Sequence, residues 1–483
     1  MNKLRYTAAG LMLLTLVSCS REPSLIQGFR HPPESTKPWV YWYWISDNIS
    51  RQGITRDLEA MASIGIGEAF IGNIYQADTT PGSVKALTQE WWEMVEHAVL
   101  EGGRLGVHIG LFNCPGWSQS GGPWIPPEKS MRYVTYSETR IKGPMRFQQR
   151  LPAPAAFFQD IAVLAFPSPQ ADDDRLMDYA PKIRAVPALP SVDKWFDTDL
   201  NSAASFQAAG GQRADTLSVE ISLARPLTAR SLSIFPGPFA FKAGCDLQVQ
   251  SEDGSWRSIK QFTFDRSNPS VQVGPMVQGA VVETFPAQAG RTFRVLFRDI
   301  KGKAGLAEIH LSAAARVERY TEKQLGKMFP SPQPLWDAYL WPRPQEPESE
   351  KLIVLPDQVK DISRFLQADG VLTWEVPEGE WILLRTGMAP TGVKNSPASP
   401  EATGLEVDKM NRQAAEHHFN AYIGELLRRV PPERRQAFTH IVADSYEMGS
   451  QNWTDCFRQA FVQQYGYDPV LWLPVLRGRI VAS

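Results

Sequence analysis

In His440–Thr454, HIVADSYEMGSQNWT, an apolar run (Ile441, Val442, Ala443) gives way at once to Asp444 and Glu447, then to Gly449, Ser450, Gln451, Asn452 and Trp453. A short apolar run bounded by turn residues reads as a buried strand. Thr454 is placed to cap a following helix carrying Phe457, Phe461 and Tyr465. A strand that ends in acids, amides and an aromatic before a helix is how a β/α barrel furnishes its C-terminal face. The same residue types suit a sugar: a carboxyl group for acid catalysis, planar amides for hydroxyls and a flat ring for stacking. Asp444 and Glu447 are therefore the candidate catalytic residues, with Asn452 and Trp453 as candidate substrate contacts. The alternative is structural, one carboxylate capping the next element or pairing with an arginine.

Working outward, the N-terminal region has the same pattern. Trp39–Ile45 (WVYWYWI) is strongly β-prone, and alternation turns Trp42 and Trp44 to one face. Ser50 caps a helix with Ile54, Leu58, Met61 and Ala62 on one side. A strand over Glu68–Ile74 follows. Next comes a helix from Thr88 that Gly102-Gly103 is expected to stop, then a strand over Val107–Phe112. Strand–helix–strand at this spacing predicts a parallel sheet with right-handed crossovers.

From about Ser137 to Glu378 helical periodicity vanishes. Short alternating runs take over at Leu217–Leu223, Ser231–Phe235, Asp246–Gln250, Thr292–Phe297 and Glu308–Leu311, separated by Gly, Pro and Asp turns. They predict an inserted antiparallel β-sandwich. The α/β pattern is expected to resume at Trp381–Arg385, and one helix is expected over Asn411–Arg429, ended by Pro431-Pro432. The resulting division is 1–18 signal peptide, 19–37 tether, 38–136 first part of a (β/α)8 TIM-type barrel, 137–378 inserted β-sandwich and 379–483 continuation of the barrel. About five parallel strands are visible where a barrel needs eight, so the barrel is expected to be incomplete in this chain.

The chain has 483 residues and a formal net charge of -2, with no basic excess to neutralise phosphates, which argues against a nucleic-acid partner. Lys3 and Arg5 precede an apolar core, Leu11–Val17, and Leu16-Val17-Ser18-Cys19 fits a bacterial lipobox. Cleavage before Cys19 and lipidation there would place the protein in the bacterial cell envelope, its only membrane contact a lipid anchor. Cys114, Cys245 and Cys456 form neither a CxxC motif nor a predictable disulfide framework.

Three further groups could carry chemistry. Glu406 and Asp408 in GLEVDK would point the same way from an extended segment, toward sugar hydroxyls or a hard cation; equally, they could complement a helix N-terminus. Asn113 and Trp117 follow the third strand in NCPGW, where they could bind and stack on a sugar, or simply pack in a loop. His108 reads as an interior residue of the barrel.

The segments PWVYWYWISDNISRQGITRDLEAMASIGIGEAFIGN, LFNCPGWSQSGGPWIPPEKSM, GLEVDKMNRQAAEHHF, ADSYEMGSQNWTDCF and YGYDPVLWLPVLRGRIV together resemble glycoside hydrolase family 106, the bacterial α-L-rhamnosidases. The resemblance implies a (β/α)8 catalytic barrel with appended β-domains and inverting hydrolysis of terminal α-L-rhamnose from plant-type glycans such as pectin. It implies that Ca²⁺ assists sugar binding, with no ligand set assigned here. The acid of its DS(Y/W)E motif falls on Glu447, with Asp444 as close partner. Its general base would come from a later barrel strand and is expected to be missing from this chain. The alternatives are a non-catalytic surface glycan-binding lipoprotein and an inactive gene remnant.

Overall fold

A computed structural model of the chain describes residues 25–118, 120–207, 215–267, 279–321, 347–443, 448–449 and 451–481. Cys19 and the signal segment lie outside the described residues. So do Asp444, Ser445, Tyr446, Glu447 and Ser450. The first described turns, Leu25–Arg30 and Glu34–Thr36, bury no residue. Among the described residues no helix is long and apolar enough to cross a membrane.

Four parallel strands form the first sheet: β1 (Trp39–Ile45), β2 (Glu68–Ile74), β3 (His108–Phe112) and, last in sequence, β16 (Phe438–Val442), side by side in the order β1-β2-β3-β16. β1 and β2 run in register from Trp39 opposite Glu68 to Ile45 opposite Ile74. The helix Arg51–Ser63 begins where expected, with Ser50 Oγ accepting from Gly53 N. The helix Gln89–Leu105 is capped by Thr88 but passes through Gly102-Gly103 and ends at Gly106, which adopts the left-handed conformation. Only glycine fits at position 102, because a Cβ there would lie 2.5 Å from the Val107 carbonyl oxygen.

Side-chain alternation divides this sheet into two unlike faces. The outer face packs Trp42, Trp44, Ile71, Ile109 and Leu111 against Leu58, Trp91, Val95, Tyr422 and Ile423 of the helices. The inner face carries Trp39, Tyr41, Tyr43, Phe70 and Phe112. Their rings meet at centroid distances of 5.3–6.2 Å. Gly72 and Gly110 make room for this nesting: a Cβ would stand 2.2 Å from Phe112 and 2.4 Å from Phe70. Trp39 is nevertheless 60% exposed and Tyr41 50% exposed. His108, read as an interior residue, is also exposed.

Between β3 and β16 the described residues build two large antiparallel sheets and a two-stranded antiparallel ribbon of β7 (Ala204–Ser205) and β12 (Gly305–Leu306). The first has the order β14-β5-β15-β4, from β4 (Arg132–Arg150), β5 (Gln159–Pro167), β14 (Lys360–Asp361) and β15 (Val371–Pro390). The second has the order β10-β9-β11-β8-β13, with β6 (Lys182–Val186) also on β8. Its strands are β8 (Leu217–Phe235), β9 (Ala240–Gln250), β10 (Trp256–Asp265), β11 (Val281–Lys303) and β13 (Glu308–Ser312). The runs Leu217–Leu223 and Ser231–Phe235, read as separate strands, are the two halves of β8.

The structure thus corrects the single inserted sandwich read over 137–378. Strands β4 and β15 extend beyond both of those boundaries. Trp381–Arg385, expected to resume the parallel pattern, is the centre of β15 and pairs antiparallel with both β4 and β5. Its continuous apolar run arises because Ile382 and Leu384 face one core while Trp381 and Leu383 face another. Such a run reports burial on both faces and says nothing of strand direction.

The last described segment lies on the first antiparallel sheet, where Val470, Leu473 and Leu476 pack against Val134, Leu164 and Phe166. A buried ion cluster fixes it. Asp172 accepts from Arg479 (2.7 Å) and Arg316 (2.6 Å) as well as from Arg140, and Arg479 also meets Glu138 at 2.8 Å. Despite its burial, the guanidinium groups of Arg316 and Arg479 hold the Asp172 carboxyl well below the usual range.

Candidate active site

Three segments come together beyond the parallel strands: the loop after β3, the extended stretch 404–408, and residues 451–455, which follow β16 in the chain. The first is fastened by Asn113 N to Val442 O (3.0 Å), Gly116 N to Asn73 O (2.8 Å) and Trp117 N to Ser396 O (3.1 Å). The second is held by Met131 N to Glu406 O (2.7 Å), Glu406 N to Val393 O (3.0 Å) and Asp408 N to Lys129 O (2.8 Å). Buried Asn395 ties the two together, donating to Pro115 O at 2.9 Å and accepting from Gly404 N at 2.8 Å.

Glu406 and Asp408 are both fully buried, as alternation from an extended segment allows, but their environments differ. Oε2 of Glu406 accepts from Ser120 Oγ (2.7 Å) and Lys409 Nζ (2.7 Å), while Oε1 is buried with no hydrogen-bond partner among the described residues. Burial raises the Glu406 pKa, and the Lys409 ammonium only partly offsets this. The neighbouring Cys114 thiol is pushed up to about 12 by the same burial and by the Glu406 charge. Asp408, by contrast, is saturated. Oδ2 accepts from Arg132 Nη2 (2.9 Å) and Thr454 Oγ1 (2.7 Å); Oδ1 accepts from Gln451 Nε2 (2.6 Å) and Met410 N (3.0 Å).

These bonds anchor the C-terminal flank of the acid-bearing segment. Gln451 Oε1 also accepts from Lys409 N at 3.2 Å, and Asn452 Oδ1 accepts from Val134 N at 2.8 Å. Asp455 is bridged by Arg132 (2.8 Å) and Asn411 (2.9 Å); the guanidinium holds its pKa low. Thr454, expected as a helix cap, instead spends its hydroxyl on Asp408. The helix begins later, at Phe457, with no side-chain cap. The catalytic candidates Asp444 and Glu447 lie outside the described residues, between Val442 and Gln451, whose anchors place those two flanks.

The other candidates divide. Trp117 is 46% exposed and its ring lies 6.1 Å from Tyr43, continuing the inner aromatic face to the strand ends. Asn113 is half-buried beside it. Trp453 is only 5% exposed and packs on Phe457 at 4.5 Å. That core position leaves little ring surface for a sugar, and Asn452 spends its carbonyl on the Val134 backbone.

Sequence reasoning missed four contributors: Ser120, Lys409, Arg132 and His418. His418 is buried, accepts from Trp124 Nε1 on Nδ1 (3.0 Å) and donates from Nε2 to the Asn113 carbonyl (2.9 Å). That pairing fixes the neutral tautomer, and burial pulls the imidazole pKa down to about 4. The Arg412–Ala421 helix carrying His418 is the first half of the helix expected over Asn411–Arg429. It breaks at Tyr422, whose buried ring stacks on Trp124 at 5.4 Å, before resuming over Ile423–Arg429.

These donors do not suit calcium. Glu406 already has the Lys409 ammonium and Asp408 the Arg132 guanidinium, so Glu406 Oε1 is the one oxygen of the pair left without a partner among the described residues. Among the described residues no group of three or more His, Cys, Asp or Glu side chains is placed to hold a metal. The described residues do not fit a hard cation, which needs several free oxygen ligands.

Comparison with known proteins places this geometry. Residues 30–483 match the family model of glycoside hydrolase family 106, α-L-rhamnosidase. The chain belongs to this family. Its structure superposes on the rhamnosidase of Novosphingobium sp. PP1Y with a TM-score of 0.76 at 27% identity, covering 95% of this chain and 43% of that one. A protein of Formosa agariphila named "Putative beta-glucuronidase" is 26% identical over 462 residues, covering 95% of this chain and 27% of its own length. The chain thus spans less than half the length of either relative.

Proposed function

We propose that the protein is a glycoside hydrolase that removes terminal α-L-rhamnose from plant-type glycans, with Glu447 as general acid and Asp444 as its close partner. The observation that carries this reading is the convergence of three segments beyond the parallel strands. One of these segments follows the family's acidic motif. The uncovered inner face supports a further element of the reading. Parallel sheets are ordinarily covered on both sides, so this one would form part of a (β/α)8 barrel closed by further strands.

In an inverting reaction Glu447 protonates the departing glycosidic oxygen while a base activates water on the opposite face of the sugar. Buried Glu406, with Ser120 and Lys409 donating to one of its oxygens, fixes the 404–408 stretch beside the segment that follows the acidic motif. Trp117 and Asn113 supply a stacking face and a hydroxyl partner.

The test is release of L-rhamnose from an aryl α-L-rhamnoside and from rhamnose-bearing pectic oligosaccharides, with an aryl β-D-glucuronide as comparison. Rhamnose release that falls about 10²–10⁴-fold in Glu447→Gln is the expected result. Undiminished turnover in that variant, or cleavage of the glucuronide alone, overturns it. Binding of the oligosaccharides with no turnover supports the non-catalytic glycan-binding reading instead. Lipidation is proposed at Cys19 with an envelope location; Cys19→Ser is expected to move the protein into the aqueous phase of a detergent partition.

A further inference from the structure

A cavity of about 420 Å³ opens on the six-stranded antiparallel sheet, built from segments that contribute nothing to the site above. That volume falls in the range of small-molecule sites, about 300–1,000 Å³. Phe235 and Glu308 face each other across the β8–β13 pair. Met177 and Leu200 flank the opening, both about half exposed.

Glu308 is 7% exposed and lines this cavity. Its Oε2 accepts from Thr198 N (3.1 Å), and Thr198 holds a left-handed backbone conformation at φ 64°. Among the described residues Glu308 has no cation partner and no second hydrogen bond. A carboxyl group withdrawn from water with one donor is costly unless something else meets it. Burial pushes its pKa up to about 7. Arg175 and Arg477 also line the cavity; Arg477 hydrogen-bonds Tyr136 and feels the Glu138 carboxylate, and neither makes a salt bridge among the described residues. His310 is held neutral at physiological pH, its pKa lowered by burial. Two cations thus stand against one carboxyl that is partly neutral, and the cavity favours an anion. A bare inorganic anion would leave the apolar rim and the Glu308 acceptor unused.

We propose that this cavity binds one uronic-acid unit of a glycan. The sugar carboxylate lies toward Arg175 and Arg477, a hydroxyl donates to Glu308, and the C–H face of the ring lies across Phe235, Met177 and Leu200. The proposal is independent of the rhamnoside reading, because a unit held here is bound rather than cleaved.

The test uses D-galacturonate and D-galactose, which differ only in the carboxylate at C6, titrated into the full chain and followed by NMR. Galacturonate is expected to bind at least tenfold more tightly. Arg175→Ala and Arg477→Ala are each expected to reduce that preference, and Glu308→Gln to weaken both sugars several-fold. Arg175 is exposed, so its replacement leaves the fold intact, and aryl rhamnoside turnover is expected to persist in that variant. Equal affinity for the two sugars, a preference untouched by both arginine variants, or no saturable binding would overturn the proposal. Loss of rhamnosidase activity with galacturonate binding retained would instead count against the catalytic reading.

Discussion

The two kinds of sheet in this protein bury their apolar residues in opposite ways. Strand β15 is enclosed on both faces, one core holding Ile382 and Leu384 and another holding Trp381 and Leu383. The parallel sheet is enclosed on one face only. Its outer tryptophans sit beneath helices, while Trp39, Tyr41 and Tyr43 present rings to solvent. The difference separates support from function. Strand β15 is supported from both sides, whereas the parallel sheet leaves its inner aromatic face open and carries the candidate active site at its C-terminal strand ends.

Four measurements would break or sharpen that contrast. The largest effect is expected from Asp172→Asn, which removes the counter-charge shared by Arg479, Arg316 and Arg140. Leaving Arg316 without its carboxylate and buried Arg479 with Glu138 alone should cost about 3–5 kcal/mol in urea denaturation. A cost under about 1 kcal/mol would mean that apolar packing alone holds the last described segment on its sheet. Because the folded carboxyl has a depressed pKa, its contribution is present above the unfolded value near 3.8 and fades as pH falls toward the folded value.

Trp91→Ala comes next. Trp91 is fully buried on the outer face and donates from Nε1 to Asn73 at 3.0 Å. A loss of about 3–5 kcal/mol is expected from the cavity it leaves. The third measurement is pH-dependent stability through His418, whose folded pKa of about 4 lies below the ordinary 6.5. Its contribution is complete above about pH 6.5 and is lost as pH falls from there to about 4. That amounts to roughly 3 kcal/mol at most, at about 1.4 kcal/mol per pKa unit. A His418→Gln variant should flatten that part of the stability–pH curve. The smallest effect is expected from Trp39→Ala on the open face, a stability change below about 1 kcal/mol. A larger loss would show that the inner rings act as a core in their own right.

The first two strands were fully legible because local signals agreed: alternation in WVYWYWI, side-chain caps at Ser50 and Thr88, and helices of ordinary length. What escaped depends on partners remote in sequence. The run at Trp381–Arg385 could not reveal that its neighbours are antiparallel. Nothing local announces that Thr454 will donate to Asp408 rather than cap a helix, or that Tyr422 will stack on Trp124 and divide one helix into two. In the candidate site, GLEVDK drew attention to Glu406 and Asp408, which the structure buries side by side on one extended stretch. Which acid would be saturated and which left with an unpartnered oxygen was decided by Arg132, Ser120 and Gln451, each from a different segment. Trp453 shows the opposite error, since an aromatic beside acids looks like a platform whether or not its faces are free.

The pairing of β3 with β16 has a consequence for how the molecule assembles. Gly110 and His440 are neighbours in register, yet both large antiparallel sheets lie between them in the chain. Strands β1, β2 and β3 leave the ribosome first and cannot gain their fourth partner until everything in between has been made and has collapsed. Closing so long a loop is entropically slow, so the contact that brings the acid-bearing segment beside Asn113 is expected to be among the last to form. During that interval the nascent chain carries an unpaired β3 edge and a bare aromatic face, the two surfaces on which misassembly and chaperone capture would begin.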